Sequence, residues 1–280
     1  MNSCTNIFQG EVNKYNPINI IGVSGDGNYF IYQNDRFIKG SDTNNKNASL
    51  VLWDNANQKT LFKLKGIEYS NYMEKVFISS NRKKVYLNSD GRIIDFEGKC
   101  SDFGKEFGFT GDIKKYSVLG EVNGILYLSD SISYTKKQIY TVEKGREAKE
   151  ILFLNNTYVC DVNEKGFYTV EATGNKLEKT LMYLTDLTGS KKKLIDRCIS
   201  GVTILDSSDD GRYVSYSIGK TPTSLAVYDT INNTAKILCG GDGIGVSDIV
   251  IRSFWTSNKD IKALLLNLND KKREKVQIAN

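Results

Sequence analysis

The stretch S224-LAVYDTINNTAKIL-238 decides the fold: an apolar strand ends at Asp229, a polar turn follows, and a basic-apolar strand returns. The same design recurs in SLVLWDNANQKTLFKL (49–64), GRIIDFEGKC (91–100), QIYTVEKGREAKEIL (138–152) and LMYLTDLTGSKKKLI (181–195). Taking Asp54, Glu97, Glu143, Asp186 and Asp229 as the strand-ending acids, the separations are 97−54=43, 143−97=46, 186−143=43 and 229−186=43. A period of 40 to 50 residues built from short strands is the signature of propeller blades, each a four-stranded sheet. Acids repeated around a ring in this way stabilise turns. Trp53 and Tyr228, one position earlier, are expected to pack between blades.

A second strand pair precedes each unit: NIIGVSGDGNYFIYQ (19–33), KVFISSNRKKVYLN (75–88), KYSVLGEVNGILYLS (115–129), TYVCDVNEKGFYTVE (157–171) and TILDSSDDGRYVSYS (203–217). Asp-Gly and Asn-Gly supply the positive φ of hairpin turns, so each blade reads as one meander of strands a to d. The expected fold is all-β: a six-bladed β-propeller of four-stranded antiparallel blades, one domain over 1–280. Blades are placed at about 19–66, 67–111, 112–154, 155–199, 200–240 and 241–280, with residues 1–15 completing the last and closing the ring. A sixth blade short of one strand is the competing reading.

The turns VSGDGNYFIY (23–32) and DSSDDGRYVSYS (206–217), followed by LVLWD or LAVYD, resemble the WD40-like repeat of TolB-type β-propellers. That family places a Ser-x-Asp-Gly turn before an apolar strand and ends the next strand with Tyr-Asp. Its usual Pro before the Asp-Gly is replaced here by Gly25 and Asp209. The resemblance implies six blades and use as a protein- or peptide-binding platform, and it implies no reaction.

Composition narrows the chemistry further. The 280 residues are 40% hydrophobic and 25% charged, which suits a globular chain with a sizeable core. Sixteen Tyr and twelve Phe favour strands, and only two Pro leave the turns to Asn, Asp and Gly. A net charge of +5 makes no case for a nucleic-acid partner. No apolar stretch reaches the ~20 residues of a membrane span. The start MNSCTNIFQGEVNK has no signal-peptide pattern, so the chain is expected either to be cytoplasmic or to follow a removed leader or anchor. The five cysteines, 4, 100, 160, 198 and 239, are expected as buried small hydrophobes rather than a disulfide framework.

There is no histidine. Ser-His-Asp and Cys-His nucleophile systems, and metal sites with His ligands, are therefore not available within this chain. Carboxylates, Lys, Tyr and Cys are the acid-base groups left. Asp161 and Asp206 each lie five residues before the glycine of their a–b turn, and Glu121 lies three before its own. All three are candidates to line the channel, where they would bind calcium or act as general acid and base, against a plainer role in bonding backbone near the turns. No other cofactor is expected.

The b–c loops and d–a connections share the face where propellers usually gather ligands. Arg36, Lys39, Tyr134, Lys136, Lys176, Lys220 and Asp242 are the binding candidates there. The run GGDGIGVSD (240–248) lacks the Lys and the following helix of a phosphate loop and reads as a d–a connection. Basic triplets at 82–84, 191–193 and 271–273 read as solvated turns, with a polyanion or anionic membrane surface as the alternative partner. A non-catalytic module binding a protein, peptide or cell-surface polymer is the expected function. The alternative is a carbohydrate-active or lactone-type enzyme using the channel carboxylates.

Overall fold

The computed structural model describes residues 20–34, 49–65, 76–133, 136–155, 158–172, 180–190, 192–198, 202–208, 211–218, 224–239, 248–255, 261–267 and 275–279. Alternating apolar side chains and short polar turns give six antiparallel sheets, each contiguous in sequence. Blade one comprises β1 (Ile20–Val23), β2 (Tyr29–Asn34), β3 (Ser49–Asp54) and β4 (Lys59–Lys65). Blade two comprises β5 (Phe77–Ser79), β6 (Lys84–Leu87), β7 (Arg92–Asp95) and β8 (Cys100–Asp102). Blade three comprises β9 (Tyr116–Val122), β10 (Ile125–Ser133), β11 (Lys136–Val142) and β12 (Lys149–Asn155). Blade four comprises β13 (Tyr158–Asn163), β14 (Gly166–Ala172), β15 (Thr180–Thr185) and β16 (Lys192–Cys198). Blade five comprises β17 (Val202–Ser207), β18 (Tyr213–Ile218), β19 (Ser224–Asp229) and β20 (Thr234–Cys239).

The last sheet, β21 (Asp248–Trp255), β22 (Ile261–Asn267) and β23 (Lys275–Ala279), has three strands among the described residues. The expectation of six four-stranded blades is thus corrected to five, plus this shorter sheet. β21 to β23 match the competing reading of a last blade short of one strand, and the N-terminal stretch 1–15 expected to close the ring lies outside the described residues. The innermost strands β1, β5, β9, β13, β17 and β21 contact one another in series, which is the propeller arrangement.

Cores form at the seams between blades. Tyr168, Val170 and Met182 of blade four pack against Val214, Tyr216, Ala226 and Tyr228 of blade five. Tyr228 thereby takes the inter-blade position expected of it, and Trp53 is buried as well. Between blades three and four, Leu119, Val122, Tyr127 and Ile139 meet Val162 and Phe167. Two innermost-strand glycines abut the next blade: a Cβ on Gly120 would lie 2.9 Å from the Val162 carbonyl, and one on Gly22 would lie 2.9 Å from the Val76 carbonyl. Gly120→Ala is expected to push blades three and four apart at a cost of about 1–3 kcal/mol. A denaturant midpoint equal to that of wild type would refute that close approach.

Three of the five repeated acids hold their turns, and two do not. Asp54 accepts the N–H of Asn57 at 2.9 Å, Asp186 that of Ser190 at 2.9 Å, and Asp229 those of Ile231 and Asn232 at 2.9 and 3.1 Å. In blade two the acid doing this is Asp95, which accepts the N–H groups of Glu97 and Lys99 at 3.0 and 2.8 Å, and not Glu97. Glu143 instead forms an exposed ion pair with Arg146. Burial works to raise the Asp229 carboxyl, but the Asn232 N–H, the Arg212 guanidinium and the Ile231 N–H outweigh it and hold the group below the usual carboxylate range. A lowered folded-state pKa stabilises above the unfolded value and is lost as pH falls through the folded one. Asp229→Ala should therefore cost about 1 kcal/mol near neutrality, as loss of a cap does, and the gap to wild type should close in acid. Urea titrations at stepped pH test this; a gap constant with pH would refute it.

Blade two carries an element that the sequence reading does not anticipate. Its outer strand β8 stops after three residues, and helix α1 (Phe103–Phe107) follows, capped by Asp102, whose Oδ1 accepts the Lys105 N–H at 2.8 Å. Phe103 and Phe107 are buried and enter a cluster with Tyr86 and Ile93 of blade two and Tyr116, Leu126 and Val142 of blade three. The helix is a wedge driven into that seam. Cys100, expected to be buried, is an exposed free thiol on the short β8.

Candidate binding site at the channel mouth

A bulge in the innermost strand recurs in β1, β9, β13, β17 and β21. The first paired residue beyond it is Gly22, Gly120, Asp161, Asp206 and Arg252 in turn. The equivalence of Asp161 and Asp206 expected from their distance to the turn glycine is therefore present in the pairing register. Glu121 lies one step further along β9 and matches Val162 and Ser207. Side chains one step apart leave opposite faces of a strand. Glu121 is accordingly turned back to blade two, where Ser79 donates its hydroxyl, and Asp161 forward to blade five, where the Ser207 hydroxyl donates at 2.5 Å.

These strands end at the a–b turns, whose geometry the motif serines set. Ser24 Oγ accepts the Tyr29 N–H and Ser208 Oγ the Tyr213 N–H, each at 2.9 Å, while Gly27 and Gly211 close the turns on the serine carbonyls. Burial works to raise the Asp26 carboxyl in the first of these turns, and the Ser24 hydroxyl and Asn28 N–H overcome it to hold the group low. In blade two the equivalent Ser79 accepts the Arg82 N–H at 3.0 Å.

At this end of the channel a cavity of about 240 Å³ opens. Glu121, Asp161, Glu164 and Asp206 are its acidic lining residues, and Val23, Phe77, Ile78, Val122 and Val162 its apolar ones. Asp161 and Asp206 are 3% and 8% exposed, so both carboxylates sit in the wall rather than on the rim. Asn123, Asn163, Ser207 and Ser208 add amides and hydroxyls. A second cavity, of about 230 Å³, shares Gly25, Phe77, Ile78 and Glu121 and extends over Asp26, Ser79 and Ser80.

The three channel candidates thus line one cavity, at the a–b end of the ring. Among the described residues no group of three or more His, Cys, Asp or Glu is placed to hold a metal ion. Of the loop candidates, Lys136 is exposed at the start of β11, whereas Arg36, Lys39, Tyr134, Lys176, Lys220 and Asp242 lie outside the described residues. Ser79, Arg82, Ser207 and Glu164 were not singled out as site residues. Ser207 follows Asp206 directly, but its bond is to the neighbouring blade, a pairing that depends on how two sheets abut.

Of the basic turns expected to be solvated, Lys83, Lys192 and Lys193 are exposed as expected, whereas Arg82 is not. Arg82, only 10% exposed at its side chain, reaches across the seam: Nη2 donates to the carbonyls of Gly124 at 2.7 Å and Val142 at 2.8 Å, and Nε lies 3.4 Å from Glu121 Oε1. Lys84 pairs with Glu106, Lys192 with Glu171, and Lys193 with the Asn233 amide. Lys191 and the triplet 271–273 lie outside the described residues.

No protein-family model and no curated protein sequence matches the chain. Solved structures do. An oligogalacturonate lyase in complex with manganese is 10% identical over 91% of this chain and 74% of its own, with a TM-score of 0.50. A prolyl endopeptidase is 12% identical over 88% of this chain, with a TM-score of 0.52, and this chain spans 39% of its length. A putative TolB from Agrobacterium tumefaciens is 13% identical over 78% of this chain and 83% of its own, with a TM-score of 0.49. At these identities the likeness is one of fold alone: the chain is a β-propeller, the fold that the TolB-type turns of its first and fifth blades anticipate.

Proposed function

We propose that this chain is a non-catalytic binding propeller that recognises a protein or peptide, with the channel mouth as one contact. The size of the cavity carries this reading. At about 240 Å³ it falls below the ~300–1,000 Å³ of pockets that enclose whole small ligands, and it suits a side chain presented by a larger partner. Its carboxylates support the same view. Glu121 is engaged by Ser79 and Arg82 and Asp161 by Ser207, so each is held by a seam partner rather than set against the other as proton donor and acceptor.

The b–c and d–a loops, including Lys136, are proposed as further contacts at the opposite end, and residues 1–15 as the strand that completes the sixth sheet. Selection from a peptide library followed by titration tests the function. Selected peptides should bind saturably and be weakened by Val162→Arg, which fills the cavity. Turnover of pectic oligosaccharides or lactones that is abolished by Asp161→Asn would overturn the proposal in favour of an enzyme.

A further inference from the structure

Blade three departs from its sister blades on its outer strand. Ser49, Gln138 and Leu181 each lie five residues before the repeated acid of their blade, and across the c–d pairing they face Lys65, Phe153 and Arg197 in turn. A base at this place keeps a sheet edge in water and away from other chains. Blade three puts a phenylalanine there. Phe153 is 43% exposed and Ile151, two residues earlier, is 39% exposed. Single apolar residues are ordinary on a surface, but two on one strand, in place of a protective base, mark a contact.

Charge gives the strip a direction. The row through Phe153 crosses the blade as Tyr116, Asp130, Gln138 and Phe153. Its carboxylate is buried: the Asp130 side chain is 5% exposed and lies 3.1 Å from the Lys115 ammonium. The Gln138 amide donates to the Leu152 carbonyl at 2.7 Å, which ties β11 to β12 at this row. One row further on, exposed Lys136 stands opposite Asn155, on the face that Phe153 occupies. At the other end, beyond Ile151, exposed Glu150 stands opposite Tyr140. The surface thus runs from an acid through two apolar side chains to a base.

Resting on the binding reading above, we infer that this strip takes an extended segment of a protein partner with the pattern apolar-x-apolar-x-acidic, its carboxylate on Lys136. Alternate side chains of an extended chain are about 6.8 Å apart, which is also the spacing of rows along β12, so one segment meets Ile151, Phe153 and Lys136 in step. The reverse order would set the partner's acid against Glu150.

The test uses the full chain, isotope-labelled, with two capped peptides, Ser-Leu-Thr-Phe-Thr-Glu-Ser and its variant with Lys for Glu. Backbone amide shifts of Gln138, Ile151, Phe153 and Leu154 report on the strip. The glutamate peptide should shift them saturably and bind about fivefold more tightly than the lysine peptide. Phe153→Lys, which gives blade three the base that blades one and four carry, should weaken binding about tenfold with the remaining amide spectrum unchanged. Lys136→Glu should reverse the preference between the two peptides. Ile237→Lys, at an exposed apolar residue of blade five, should change neither. Equal binding of the two peptides, or no shift from either, overturns the inference. Inert peptides together with a dimer in sedimentation that Phe153→Lys abolishes would overturn it in favour of a second copy of this chain. Library-selected peptides that respond to Val162→Arg but not to Phe153→Lys would leave the binding reading standing without this strip; if no library peptide binds either, both fail.

Discussion

Arg82→Ala is expected to lower stability by about 3–5 kcal/mol, the range for removing one partner of a buried charge pair. Three acceptors depend on this one guanidinium: the carbonyls of Gly124 and Val142 and the carboxylate of Glu121, which is itself only 7% exposed. Truncation leaves Glu121 buried with the Ser79 hydroxyl and, among the described residues, no paired cation. An unmade bond costs the desolvation of the group left behind, and that is larger for a charge than for a carbonyl. At roughly 2–4 °C per kcal/mol for chains approaching this size, the melting temperature should fall by on the order of 10 °C. Arg82→Lys should recover less than half of the loss, since one ammonium cannot reach acceptors spread over a turn, a strand end and a side chain as a planar fork does. Pairing Arg82→Ala with Glu121→Gln separates the terms: the double variant should be more stable than Arg82→Ala alone, because the stranded charge is gone. A double variant no better than the single would show that the carbonyl bonds alone carry the cost.

The same residue shows where sequence reasoning stops. Arg82 stands in a triplet of basic residues in a hairpin turn, and from local pattern such a triplet is solvated. Its role follows from the neighbouring blade, which local pattern does not encode. The repeat itself was legible because Asp54, Asp186 and Asp229 perform local work, accepting N–H groups two to four residues ahead, so the reason for the acid is contained in its own turn. Blade two was misread by two residues because GRIIDFEGKC offers both Asp95 and Glu97, and only the pairing of Asp95 with Lys84 fixes where the strand ends. Asp161 and Asp206 were recognisable as equivalents, since distance to a turn glycine is a local measure of register. That Asp161 faces forward and Glu121 backward was equally implicit in their one-step offset, but their partners Ser207 and Ser79 emerge only when blades abut. The sixth sheet was legible in its strands: β21 to β23 read as strands from their apolar residues, and a last blade short of one strand was already the competing reading of the sequence.

The wedge between blades two and three leads to the other large effect. FGKEF is too short to show a helical period, and its placement depends on an outer strand that ends after three residues. Phe107 lies 2% exposed, stacked on Tyr86 with ring centroids 6.2 Å apart, tilted on Phe103 at 5.4 Å and edge-on to Phe109 at 6.1 Å. Its carbonyl accepts the Ala148 N–H at 3.1 Å, which ties the wedge to the c–d turn of blade three. Phe107→Ala is expected to cost about 3–5 kcal/mol through lost transfer energy and the cavity left behind. The lower end is favoured by one neighbour. The Tyr86 hydroxyl is buried with no hydrogen-bond partner among the described residues, and burial pushes its pKa up. Removing the Phe107 ring makes room beside it, and a water entering there would gain a polar partner and offset part of the loss. Phe107→Leu, which keeps most of the volume and admits no water, should cost about 1–2 kcal/mol. Replacing Tyr86 by Phe distinguishes the two contributions. In that background Phe107→Ala should cost more than in wild type, because the entering water has lost its hydroxyl. Equal costs in the two backgrounds would mean that the cavity stays dry and that the wedge is held by packing alone.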